Sequence, residues 1–181
     1  MQLQEYDNSW YNPGSKIKIA LWSLCRSLFF NHGLAFFSGW KCFLLRIFGA
    51  TVGKRVVIKP SVNIKYPWFL SIGDNVWIGE KVWIDNLGMV RIENNICISQ
   101  GAFFLTGNHD YKKPSFDLKI GEITLENGVW IGAKSVVCGG VTCKSHSVLA
   151  VCSVATSNLE AYGIYRGNPA QKIRVRNIGE I

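Results

Sequence analysis

From residue 52 onward an aliphatic side chain returns every six positions, a spacing that neither a 3.6-residue helix nor a two-residue strand alternation produces. Val52, Ile58, Ile64 and Leu70 form one register; Ile72, Ile78, Ile84 and Val90 repeat it after a displacement of two residues. Ile92, Ile98 and Phe104 follow a second displacement, and Leu125, Ile131, Val137, Cys143, Leu149, Ala155 and Ala161 resume it further on. Four positions after many of these stands a small or β-branched residue, such as Val56, Val76, Ala102, Ser135 or Ser147, and glycine often follows the aliphatic directly (Gly53, Gly73, Gly79, Gly132). Three such hexads close one triangular coil: the aliphatic residue points inward, the small residue fits the crowded interior, and Gly or Asn permits the corner. The eighteen hexads therefore predict an all-β chain, a parallel β-helix of about six stacked coils. A β-sandwich varies its strand and turn spacing and does not hold a six-residue register across "IGDNVWIGEKVWID".

The repeat divides the chain into an N-terminal appendage (1–50), the β-helix (51–166) with an interruption at 105–122, and a short basic tail (167–181). Net charge is +8, with Lys/Arg concentrated at the two ends: nine against two acids in 1–65, seven against nine in 66–165, four against one in 166–181. No basic stripe with interleaved aromatics runs along the chain, so nucleic acid is not the expected partner; a small polyanion suits the tail. Six cysteines without a C-x-x-C pair read as reduced thiols in a cytoplasmic protein, with no metal site among them.

"SKIKIALWSLCRSLFF" and "SGWKCFLLRIFG" are apolar but broken by Lys16, Lys18, Arg26, Lys41 and Arg46, so neither reaches the roughly 20 residues of a membrane span. They predict one or two short helices after Pro13-Gly14, packed on the β-helix because Trp22, Leu28, Phe29, Trp40 and Phe43 need burial. The alternative is a peripheral contact with the inner face of an anionic membrane.

A coil can eject residues at a corner without disturbing its strands, and "LTGNHDYKKPSFD" is such an excursion. It carries His109, one of three histidines, and a neutral imidazole is well matched to general-base work near pH 7. Asp110, its neighbour, is poorly placed to orient the ring. Asp85 and Asn86 lie one coil earlier and should sit beneath the start of the excursion. His32 reads as a helix cap and His146 as a solvated corner.

The hexads, together with "NSWYNPG", "SQGAFFLTGNHDYKKPSFDL" and "GNPAQKIR", resemble the hexapeptide-repeat acyltransferases, closest to the colanic-acid-biosynthesis type and similar to the maltose and galactoside O-acetyltransferases. The resemblance implies a left-handed parallel β-helix, a homotrimer with sites between prisms, and acetyl-CoA as the acyl donor. It implies His109 as base and Asp85 with Asn86 at the acceptor, although those relatives carry Asn where this chain has Asp85. Coenzyme A is implied near Ala133, Val151, Thr156 and Ser157, with its phosphates toward Lys172 and Arg174; Ser157 and Gln171 stand where a basic residue is common. The acceptor implied is a saccharide hydroxyl, small or lipid-linked, in exopolysaccharide synthesis. An amino-sugar N-acetyltransferase is the nearest competing reading. A zinc carbonic anhydrase lacks its histidine pairing here, and a non-catalytic β-helix needs neither excursion nor basic tail.

Overall fold

The computed structural model describes residues 1–32 and 37–179. Two helices, α1 (Lys16–Phe29) and α2 (Ser38–Ile47), precede a β-solenoid. Its first coil holds β1 (Thr51–Val52), β2 (Val57–Ile58) and β3 (Asn63–Ile64), and its second β4 (Leu70–Ile72), β5 (Trp77–Ile78) and β6 (Trp83–Asp85). The third holds β7 (Val90–Ile92), β8 (Cys97–Ile98) and β9 (Phe103–Leu105), then ejects β10 (Gly107–His109) and β11 (Leu118–Ile120). β12 (Ile123–Leu125), β13 (Trp130–Ile131) and β14 (Val136–Cys138) make the fourth coil; β15 (Thr142–Cys143), β16 (Val148–Leu149) and β17 (Val154–Ala155) make the fifth. β18 (Gly163–Gly167) belongs to a partial sixth, and β19 (Ala170–Val175) returns antiparallel along it, so much of the expected tail is an edge-covering strand.

The prism has three faces: β1, β4, β7, β12 and β15 on the first, β2, β5, β8, β13, β16, β18 and β19 on the second, and β3, β6, β9, β14 and β17 on the third. Like positions stack in parallel register, as in Val52↔Ile72, Ile58↔Ile78 and Ile84↔Phe104. Every hexad aliphatic from Val52 to Ala155 is buried along the axis. Ala161 breaks the rule: it is exposed, and Leu159 takes the interior place, bridged to Cys143. The last coil is shorter, with Tyr165 stacked on Leu149 sixteen residues back, and Leu159 buries more apolar surface than an alanine would.

The repeat glycines serve a purpose other than the corners. A Cβ on Gly79 would lie 2.6 Å from Gln100 N, and one on Gly132 2.6 Å from Val151 N, so glycine is required where successive coils approach closely. Left-handed corner conformations fall instead on residues such as Arg55, Lys81, Lys134 and Cys152. Stacked amides of Asn75, Asn95 and Asn127 run up one corner, each bond 2.9 Å.

Residues beside the buried ones point outward, and the faces differ. The first presents Thr51, Ser71, Arg91, Thr124 and Thr142; the second Val57, Trp77, Cys97, Trp130 and Ile164, with Val148 on the same row but buried; the third Asn63, Trp83, Phe103, Val136 and Val154. Two faces are thus apolar on the outside, with Trp77, Trp83 and Trp130 all exposed. All six cysteines are free; Cys25, Cys42 and Cys143 are buried, whereas Cys97 and Cys152 are at the surface rather than in the core.

The two helices close the N-terminal end of the prism, where the first coil has carbonyls with no coil beneath them. Arg46 donates to Val52 O and Gly53 O, Lys41 to Ile58 O and Lys59 O, and Trp22 Nε1 to Ile64 O. Each of the three strands thus receives at least one donor from the cap. Trp22 is buried as expected, but Leu28, Phe29, Trp40 and Phe43 are exposed. Their packing against the β-helix, expected from apolarity, is absent because the cap's inner surface is filled by Trp22, Cys25, Cys42, Leu44 and Leu45.

Candidate active site

The excursion leaves the corner between the third and first faces as a hairpin, with Gly107 opposite Ile120 and His109 opposite Leu118. Its base is pinned by Thr106, fully buried, whose hydroxyl donates to Asp85 O (3.0 Å) and accepts from Gly88 N (3.1 Å). Such a base fixes the hairpin to the coil below.

His109 is half-buried, stacked on Phe116 (ring centroids 4.4 Å, planes 6° apart) and flanked by Tyr6 at 5.8 Å. Its Nδ1 lies 3.0 Å from Phe116 O. A carbonyl can only accept, so the neutral ring holds its proton on Nδ1 and leaves the Nε2 lone pair free. Asp110 turns away to Lys119 (3.1 Å), whose ammonium holds the carboxyl below its usual range. The expectation that Asp110 does not orient the histidine agrees with this geometry.

Asp85 pairs with Leu105 at the root of the hairpin and meets Lys65 at 2.9 Å. Asn86 is a correction. Expected at the acceptor, it is completely buried, its amide accepting from Tyr66 N (3.0 Å) and donating to Tyr66 O (2.7 Å) and Phe69 O (3.0 Å). No surface of it is left for a solute.

Sequence reasoning missed the strap formed by residues 2–13. Gln2 N donates to Pro114 O, Tyr6 packs on His109, Tyr11 Oη donates to Leu87 O (2.8 Å), and Trp68 Nε1 donates to Pro13 O (2.9 Å). Burial, with Tyr66 and Asp85 nearby, pushes the Tyr11 hydroxyl well above its usual range, so it remains a neutral donor. The strap lacks any periodicity; "NSWYNPG" was its one visible trace.

A concavity of about 630 Å³ lies along the second face at its corner with the third. Ala133, Val151 and Arg174 line it together, joined by Trp130, Ile164 and Arg176. Thr156 and Ser157 do not: they follow β17, at the corner between the third and first faces, on the hairpin's edge of the prism. Lys172 is separated from Arg174 by a register shift in β19 that sets Arg174 opposite Ile164 and Lys172 opposite Tyr165. Arg176 was not anticipated; its guanidinium donates to Gly128 O (3.0 Å) and His146 O (3.2 Å). His146 itself is a half-buried corner stacked on Tyr162 at 4.8 Å, and His32 Nε2 caps α1 at Leu28 O.

The third face separates the concavity from His109. Ala133 and Cys138, at its two edges, are five residues apart, roughly 16 Å of extended chain.

A solenoid of this six-residue repeat has the architecture of hexapeptide-repeat proteins, and the hairpin that carries His109 is its candidate catalytic element. No family model matches the chain. It is 37% identical over 166 residues (92% of this chain, 91% of the relative) to a protein of Escherichia coli (strain K12) provisionally named colanic acid biosynthesis acetyltransferase WcaF. Among solved structures it resembles the hexapeptide-repeat acetyltransferase VCA0836 of Vibrio cholerae O1 biovar eltor complexed with acetyl coenzyme A (TM-score 0.79, 23% identity, 92% and 93% of the two chains). It also resembles a galactoside acetyltransferase in complex with coenzyme A (TM-score 0.79, 24% identity, 89% and 82%). The chain belongs to the hexapeptide-repeat acetyltransferases of the colanic-acid-biosynthesis type, and its fold is a parallel β-solenoid of about six turns like the structures it resembles.

Proposed function

We propose that the enzyme transfers the acetyl group of acetyl-CoA to a saccharide hydroxyl during exopolysaccharide assembly in the cytoplasm, with His109 as general base. The observation that carries this reading is the 3.0 Å contact from His109 Nδ1 to Phe116 O, which leaves Nε2 as the base. Nε2 takes the acceptor hydroxyl proton while the oxygen attacks the thioester carbonyl; the C–S bond then breaks, and the imidazolium returns the proton to the departing thiolate. Ester and free thiol are the products. Asp85, its carboxylate held toward Lys65, stands next to the hairpin root and serves the acceptor.

The donor's anionic end belongs to the concavity, with Arg174 and Arg176 facing the phosphates and the backbone near Ala133 and Val151 along the pantetheine arm. Thr156 and Ser157, on the hairpin's edge, would serve the reacting end, and Lys172 adds a peripheral charge. That the concavity and His109 occupy different edges of one prism supports a site shared between copies. A homotrimer of side-by-side prisms supplies one, since it sets one copy's edge against another's and buries the apolar second and third faces.

The test is an acceptor screen with acetyl-CoA, read as thiol release, on protein whose mass is measured by light scattering. Release with neutral saccharides from a trimer is expected. Release with amino sugars alone would replace O-acetylation by N-acetylation, and an active monomer would refute the shared site.

A further inference from the structure

We propose that the outer face of the helical cap is a docking surface for an anionic lipid bilayer. The cap is built in reverse of an ordinary surface helix pair. Its cations point back into the protein: Lys18 lies over the Trp68 ring at 4.4 Å, Arg26 bonds Asn63, and Lys41 and Arg46 bond the carbonyls of the first coil. Its apolar residues point out.

On α1 the exposed residues Ile17, Leu21, Leu24 and Leu28 fall at spacings of four, three and four, one continuous stripe. α2 contributes Trp40, Phe43 and Ile47, and the two helices' patches are joined where Phe29 meets Trp40 (6.1 Å) and Trp40 stacks on Phe43 (5.3 Å). Exposure runs from 38% at Phe29 to 76% at Ile17, so each of these side chains is open to solvent. An exposed apolar surface of this kind marks an interaction site.

Charge selects the occupant. Between residues 8 and 73 there is no Asp or Glu, against nine Lys and Arg. Lys16 on the first turn of α1, and Lys54 and Arg55 on the first coil that α2 caps, are exposed. A second copy placed end to end would bring these cations against their own kind, and the residues that build the cap and first coil (8–73) supply no carboxylate to pair with them. An anionic headgroup layer meets both features, taking the Leu, Ile, Phe and Trp side chains into its boundary and pairing with the cations. Among the described residues no helix is long and apolar enough to cross a membrane, so the contact is peripheral.

The cap closes the end of the prism, a surface that prisms packed side by side leave uncovered. In the threefold assembly proposed above, three caps share one end and bind together. That multiplication rests on the trimer; the affinity of each cap does not.

The experiment is co-sedimentation of the intact protein with phosphatidylcholine vesicles, with and without phosphatidylglycerol, across a salt series. Sedimentation with the anionic vesicles at low salt, released as salt rises, is expected. The triple variant Leu21→Gln, Leu24→Gln, Trp40→Gln changes only exposed side chains and should lose vesicle binding by about tenfold or more, with an unaltered melting temperature and assembly mass. Absence of binding to anionic vesicles, or equal binding by the triple variant, would overturn the proposal. So would a fall in assembly mass in the variant, which would assign the patch to a second copy of the chain.

Discussion

Replacing Asn86 distinguishes an acceptor ligand from a structural clamp. The side chain is fully buried and makes three hydrogen bonds to the backbone of residues 66–69, the segment that also carries Trp68 to the N-terminal strap. Asn86→Ala leaves one N–H and two carbonyls unpaired; at about 1 kcal/mol for each bond the loss is roughly 3 kcal/mol. For a chain of this length that corresponds to a fall in Tm of about 6–12 °C. Asn86→Asp should be worse at neutral pH, because a carboxylate still accepts from Tyr66 N but faces two carbonyls it cannot serve, in a site that buries the charge. Thermal melts followed by far-UV circular dichroism, with acceptor KM measured well below Tm, give both readouts. An Asn86→Ala protein that melts within about 2 °C of the parent while its acceptor KM rises tenfold would show that the residue touches substrate and that the clamp argument is wrong.

Arg174→Ala should weaken coenzyme A binding several-fold by calorimetry and Lys172→Ala distinctly less, since Arg174 lines the concavity and Lys172 is peripheral to it; equal losses would place the phosphates elsewhere. Burial pushes Lys41 down to about 8 from 10.5. The folded state is therefore penalised for carrying the proton below pH 8, and between about pH 8 and 10.5 the unfolded chain binds more protons, so stability rises with pH. Relative to Lys41→Met, the parent should gain melting temperature across that window; parallel Tm curves would show that Lys41 keeps its ordinary pKa.

The hexad register was readable because burial along the axis is a one-dimensional condition repeated at each coil, and Ile58, Ile78 and Ile98 satisfy it identically. It failed at Ala161, where the coil shortens and a neighbouring leucine competes for the interior. The glycines were readable as special but for the wrong cause: a composition argument assigns them to corners, whereas the close approach at Gly79 and Gly132 exists only once coils are stacked. His109 stood out because the excursion breaks the register. Its partner Phe116 did not, since that contact depends on how the hairpin closes. Thr156 and Ser157 follow Val151 closely in sequence yet turn onto another edge, a separation produced by a triangular coil and invisible to linear spacing. The strap's contacts with residues 66–68, 87 and 114 are likewise non-periodic, long-range pairings.

His109→Ala in acetyl-CoA-dependent transfer tests the central claim most directly. With the best acceptor from the screen, kcat from thiol release should fall by about 10²–10⁴-fold, the range expected for loss of a general base, while the coenzyme A dissociation constant and assembly mass stay at parental values. Near-parental turnover in a correctly assembled His109→Ala protein would contradict the assignment of Nε2 as the base.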